Sequence, residues 1–95
     1  MVLDVDSIKA PIREFVVERA QSMGLGSVGD DDELFESGIL ESLVLFRLVA
    51  FLEAAFSVRI TDDEIAPHNF RDIASITYLV EDKLASRRRR AVAAV

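Results

Sequence analysis

Ninety-five residues, 51% hydrophobic and 29% charged, describe one ordinary globular domain with a single modest core. Up to Leu84 the chain has seven Lys and Arg against seventeen Asp and Glu, a net of −10; Arg87 to Arg90 hold the other four positive charges. An acidic body repels nucleic acid and anionic membrane and attracts basic protein surfaces. With no cysteine, disulfides and thiolate-held zinc are excluded, and the lone His68 makes no histidine cluster.

The opening stretch MVLDVDSIKAPIREF is acidic where a secretory signal needs basic residues. The densest apolar run, Leu43 to Phe56, contains Arg47 and Glu53 and is too short to span a bilayer. The expectation is a cytoplasmic protein without membrane insertion.

From about Ser7 to Met23, apolar residues fall at Ile8, Ile12, Phe15, Val16, Ala20 and Met23, one face of a helix. Asp6 or Ser7 is a candidate cap. Pro11 is tolerated best in a first turn, so the regular helix is expected to start near Ala10. Gly24 and Gly26 end it. Ser27 to Ile39 reads as a long loop with an acidic run, Asp30 to Glu33, in which Leu34 and Phe35 are expected to pin the loop to the core. Ser42 to Phe56 is the second helix, with a core stripe of Leu45, Leu48, Val49, Leu52 and Phe56. Its opposite face then holds Val44, Arg47, Phe51 and Ala54, which is apolar for a solvent-facing surface.

Thr61 and Glu64 have the spacing of a capping box. The helix they open must be short, because Pro67 disfavours helix at Ala66. A last helix runs from about Asp72, its cap, to Leu84, with Ile73, Ile76, Val80 and Leu84 on one face. There is no strand-length alternation. The fold class is all-α: a bundle of three main helices plus one short helix. The domain is expected to cover residues 1–84, with 85–95 an arginine-rich tail, frayed or disordered.

The candidate chemistries narrow quickly. Nucleophilic catalysis by Ser42 needs a base, and nothing brings His68 to it. A calcium loop counted from Asp30 puts Leu34 and Phe35 where an oxygen ligand and a glycine are required, and fails. No catalytic residue and no metal site is assigned. There remains the junction of loop and helix at Ser42. A serine there is most often an N-cap. The same helix end, with unpaired N–H groups and partial positive charge, also suits a covalently attached phosphate. Spacing alone favours the cap.

The stretch LFESGILESL resembles the prosthetic-group segment of acyl and peptidyl carrier proteins, with Glu41, Ser42 and Leu43 matching that family's Asp-Ser-Leu motif. The resemblance runs from about Ile8 to Leu84. It takes in the acidic loop with Leu34 and Phe35, the Phe56-Ser57-Val58-Arg59-Ile60 helix exit, and Ile73 and Ile76 of the last helix. The Gly38-to-Leu43 spacing is most similar to stand-alone carriers of amino acids, the D-alanyl type. The resemblance implies a carrier with 4′-phosphopantetheine attached at Ser42, its thiol holding an acyl or aminoacyl group as a thioester. It implies three kinds of partner: a phosphopantetheinyl transferase, an acyl- or aminoacyl-adenylating ligase, and a downstream acyltransferase or synthase. Two positions depart from the family pattern. Glu41 replaces Asp, and the exposed side of the second helix lacks acidic residues, so Val44, Arg47, Phe51 and Ala54 become the expected partner face.

The alternative is an unmodified helical adaptor that binds a partner through that apolar face. A DNA-binding domain would need a basic face, which only the terminal arginines offer.

Overall fold

The computed structural model describes residues 4–93. Three α-helices account for most of it: α1 (Val5–Ser22), α2 (Ser42–Phe56) and α3 (Ile73–Ala93). Two single 3-10 turns, Asp62–Glu64 and Pro67–Asn69, lie between α2 and α3, and the described residues contain no strand. This is the expected all-α bundle.

Rows at i, i+4 spacing build the core. α1 buries Ile8, Ile12, Val16 and Ala20. α2 buries Val44, Leu48, Leu52 and Phe56, with Val49 beside the row. α3 buries Ile73, Ile76, Leu79 and Val80. Residues on such a row stack above one another on a single helix face.

α1 starts earlier than Pro11 suggested. Asp4 caps it, its carboxylate accepting from the Ser7 N–H at 2.7 Å, so neither Asp6 nor Ser7 is the cap. The helix continues through Pro11, anchored on either side by the fully buried Ile8 and Ile12. Gly24, at φ +78°, ends it: the Gly24 N–H donates to the Gln21 carbonyl and the Leu25 N–H to the Ala20 carbonyl, a Schellman closure.

The exit from α2 is as short as Pro67 requires. The Glu64 carboxylate accepts from the backbone N–H of Thr61 at 2.9 Å and from its hydroxyl at 3.1 Å. Asp72 then caps α3, accepting from the Ser75 N–H at 2.7 Å while itself only 1% exposed. Burial raises the pKa of this carboxyl, but hydrogen bonds from Ser75 and the Arg71 guanidinium outweigh it and hold the group below the ordinary aspartate value.

Of the expected frayed tail, residues 85–93 are helical, and residues 94 and 95 lie outside the described residues. α3 continues without interruption through the arginine run to Ala93. One contact distant in sequence joins this stretch to the rest of the fold: Arg87 Nη1 donates to the carbonyl oxygen of Ser57 at 2.5 Å, just past the end of α2.

Candidate functional site

The loop from Met23 to Glu41 is a built structure rather than a slack connection. α1 stitches one side of it: Arg13 donates to the Val28 carbonyl at 2.9 Å and Arg19 to the Ile39 carbonyl at 3.3 Å, while Lys9 and Arg13 pair with Asp30. The start of α3 holds the other side, where the Leu34 N–H donates to the Arg71 carbonyl and the Ala74 N–H to the Asp30 carbonyl. Val28, Leu34, Ile39 and Leu40 are buried. Leu34 therefore pins the loop as expected. Phe35 does not; it is 37% exposed, and the second anchor is the pair Ile39 and Leu40.

The chain reverses just before the serine. The Gly38 N–H donates to the Phe35 carbonyl and the Leu40 N–H to the Leu34 carbonyl, with Gly38 at φ +81°. A Cβ there would stand 3.5 Å from Met23 Cε, an ordinary contact, so glycine is required for its backbone conformation rather than for space.

Glu41 performs the capping. Its Oε1 accepts from the Val44 N–H at 2.9 Å, and its own carbonyl accepts from the Leu45 N–H at 2.8 Å. The extra methylene relative to aspartate is absorbed without loss of the cap. Ser42 is consequently the first helical residue and not the cap, which removes the bland reading of it. Ser42 is exposed, and its hydroxyl has no hydrogen-bond partner among the described residues. The N–H groups of Ser42 and Leu43 likewise have no acceptor among them. A free hydroxyl beside two open donors at the positive end of a helix fits an esterified phosphate.

The surface around Ser42 differs from the one expected. Val44 is buried, 5% exposed, and belongs to the core. Phe51 is half-buried against Phe15, ring centroids 5.3 Å apart. Val44 is therefore closed to a partner, and Phe51 offers only part of its ring. Arg47 and Ala54 are exposed as expected. The large exposed side chains are instead Leu43, 56% exposed, and Phe46, 61% exposed. Phe46 lies one helical turn from Ser42, at the i+4 position where surface side chains are neighbours. Met23, Leu25 and Phe35 add further exposed apolar surface along the loop. The loop also forms an acidic groove walled by Asp31, Asp32, Glu33 and Glu36, in which a hydrogen bond from Glu36 raises the pKa of Glu33.

Residues 14–77 match the family model described as "Phosphopantetheine attachment site". The chain belongs to that family. Its members are carriers that bear a 4′-phosphopantetheine arm and present it to enzymes, so this protein is a carrier and not a catalyst. D-alanyl carrier proteins of Streptococcus pyogenes serotype M1 and of serotype M5 (strain Manfredo) are both similar to it. Each is 27% identical over 73 residues, covering 75% of this chain and 92% of the relative. The family match ends at Thr77, inside α3, and leaves the arginine extension outside it.

Proposed function

We propose that Ser42 is where the carrier receives its arm, and that it carries an acyl or aminoacyl group. The observation that supports this most directly is the division of labour between neighbours: Glu41 caps α2, leaving the adjacent Ser42 hydroxyl exposed and unbonded. Ser42 Oγ loses its proton and forms a phosphodiester with the phosphopantetheinyl group of coenzyme A, and adenosine bisphosphate leaves. The open N–H groups of Ser42 and Leu43 face the added negative charge with the positive end of the helix dipole. When bound, the group supplies a thiol on a long arm, on which a carboxylic acid is held as a thioester. This cysteine-free chain has no thiol of its own.

The likeness to D-alanyl carrier proteins makes a small amino acid the first cargo to test. The partners that follow are a phosphopantetheinyl transferase, an adenylating ligase and a downstream acyltransferase or synthase, and the compartment is the cytoplasm. Leu43, Phe46 and Arg47 form the contact surface nearest the arm. Such a patch suits partners with an apolar pocket, and the acidic groove of the loop suits a basic rim around it.

Intact-protein mass after incubation with coenzyme A and a broad-specificity transferase tests the assignment. The protein should gain one phosphopantetheine, and Ser42→Ala should gain none. Failure with several transferases would sink the assignment and favour the adaptor reading. A gain that persists in Ser42→Ala would move the attachment to another serine.

A further inference from the structure

The loop is tied down unevenly. The bonds from Lys9 and Arg13, and those from the start of α3, hold it between Val28 and Leu34, upstream of the turn at Gly38. Beyond the turn, Ile39, Leu40 and Glu41 lead the chain to Ser42, and the first two are buried. One bond from α1 reaches this short approach: Arg19 Nε donates to the Ile39 carbonyl at 3.3 Å. No backbone N–H of the described residues donates to that carbonyl. Arg19 is half-buried and forms no ion pair among the described residues. Its neighbours at the same helical interval serve the same region. Phe15 packs on Phe51 of α2, and Met23 places Cε 3.5 Å from where a Gly38 Cβ would stand. One row of side chains from α1 therefore backs α2, the approach to Ser42 and the turn before it.

We propose that Arg19 is a positioning residue for attachment of the arm: its bond to the Ile39 carbonyl fixes the path of residues 39–41, and so the place at which the Ser42 hydroxyl is presented. This rests on Ser42 being the attachment point. The role belongs to the bond and not to the charge, since no carboxylate pairs with the guanidinium. Without the bond, the carbonyl of a buried residue loses its one described partner, and the approach samples further conformations in finding another. A transferase accepts only those conformations that bring the hydroxyl to its phosphate donor. Apparent affinity then falls with the fraction of chains in the competent state, while turnover at saturation is kept. Positioning of this kind shows in the KM for the carrier and not in kcat.

Two replacements of matched length separate the bond from the charge. Glutamine carries its amide donor as far from Cα as arginine carries Nε, and methionine carries a methyl group there. Both are good helix formers, so α1 is kept, and circular dichroism checks this. With coenzyme A and a broad-specificity transferase, Arg19→Met should raise the KM for the carrier about fivefold at unchanged kcat, the size of one lost hydrogen bond. Arg19→Gln should restore most of the difference. Amide exchange gives a readout without the arm. The Leu40 N–H, which donates to the Leu34 carbonyl, should exchange faster in Arg19→Met than in Arg19→Gln, while the Leu34 N–H, held by the Arg71 carbonyl, keeps its rate. Loading of Arg19→Met as efficient as that of the unaltered chain would overturn the proposal. So would equal impairment of both variants, which would assign the role to charge, a fall in kcat at constant KM, or unchanged exchange at Leu40. An unaltered chain that gains no arm would overturn the Ser42 assignment instead, and the exchange comparison would still decide whether Arg19 fixes the approach.

Discussion

The two ends of α2 are finished in opposite ways. At the C-terminal end the chain is tied back to the rest of the fold. Phe56 is buried, Ser57 turns the chain at φ +53°, its carbonyl accepts from Arg87, and the Glu53 carboxylate accepts from the Ile60 N–H at 2.9 Å. At the N-terminal end one N–H is capped by Glu41, while the Ser42 hydroxyl and two backbone donors are left open beneath exposed Leu43 and Phe46. The first N–H groups of a helix are left to caps, water or ligands. The proposed attachment point sits at the open end, and the contacts of the closed end tie α2 to the rest of the fold.

The sharpest way to break this contrast is within one turn of the open end. Val44 and Phe46 are close in sequence but opposite in environment. Val44→Asp should cost about 3 kcal/mol or more, because it buries a carboxylate without a partner. Phe46→Asp should change stability by no more than about 0.5 kcal/mol, yet slow loading by the adenylating ligase. Denaturant midpoints measured beside a loading assay separate the two effects. A Phe46→Asp protein as unstable as Val44→Asp would mean that the surface around Ser42 has been assigned wrongly.

Gly38 comes next in size. Gly38→Ala forces a Cβ into a left-handed conformation and should cost about 1–2 kcal/mol, although it meets no clash. Gly26 has open space around it and no positive φ, so Gly26→Ala should be neutral or slightly stabilising. If the two alanines behaved alike in thermal melts, the turn before Ser42 would not be the fixed feature that aims it.

Acid should weaken the framework as a whole. Asp72 and Glu64 are both held below the ordinary carboxylate range by hydrogen bonds and nearby cations that outweigh their burial, and the Ser7 N–H does the same for Asp4. Groups whose folded pKa is depressed stabilise the fold fully above their unfolded values, near pH 4, and lose that contribution as pH falls through the folded values. The melting temperature should therefore fall below about pH 5, and Asp72→Asn should flatten part of that fall.

How much of this was legible beforehand differs from helix to helix. α1 and α3 alternate apolar and polar residues clearly enough to fix their buried faces. α2 is apolar nearly all round, so period alone left Val44 outside; Leu45, which it put in the core stripe, does pack against the core but is only partly buried. The row Val44, Leu48, Leu52, Phe56 repeats the i+4 spacing of Ile8, Ile12, Val16, Ala20, and that parallel was the available signal. It would also have turned Phe46 outward. Nothing local distinguishes Leu34 from Phe35, because the choice is made by the Leu34 N–H bonding to Arg71 in a distant segment. The Ser42 junction was legible as a place, but its spacing alone favoured a capping serine, and only the Glu41 carboxylate on Val44 resolves which residue caps.

The smallest predicted effect concerns the closed end. Arg87 lies thirty residues from its acceptor, and its bond places a positive charge at the negative end of the α2 dipole. Arg87→Ala should lower global stability by about 0.5 kcal/mol, because Leu84 and the residues before it remain packed on the core. Its main effect should be local: amide exchange across 86–93 should quicken while that of α1 is unchanged, and Arg88→Ala, which loses no contact to α2, should leave exchange as it was. Faster exchange in Arg87→Ala alone identifies this contact as the reason the arginine run is helical. Equal exchange in both variants would mean that α3 extends on its own propensity, and the closed end of α2 would owe its order to Glu53 and the left-handed turn at Ser57 instead.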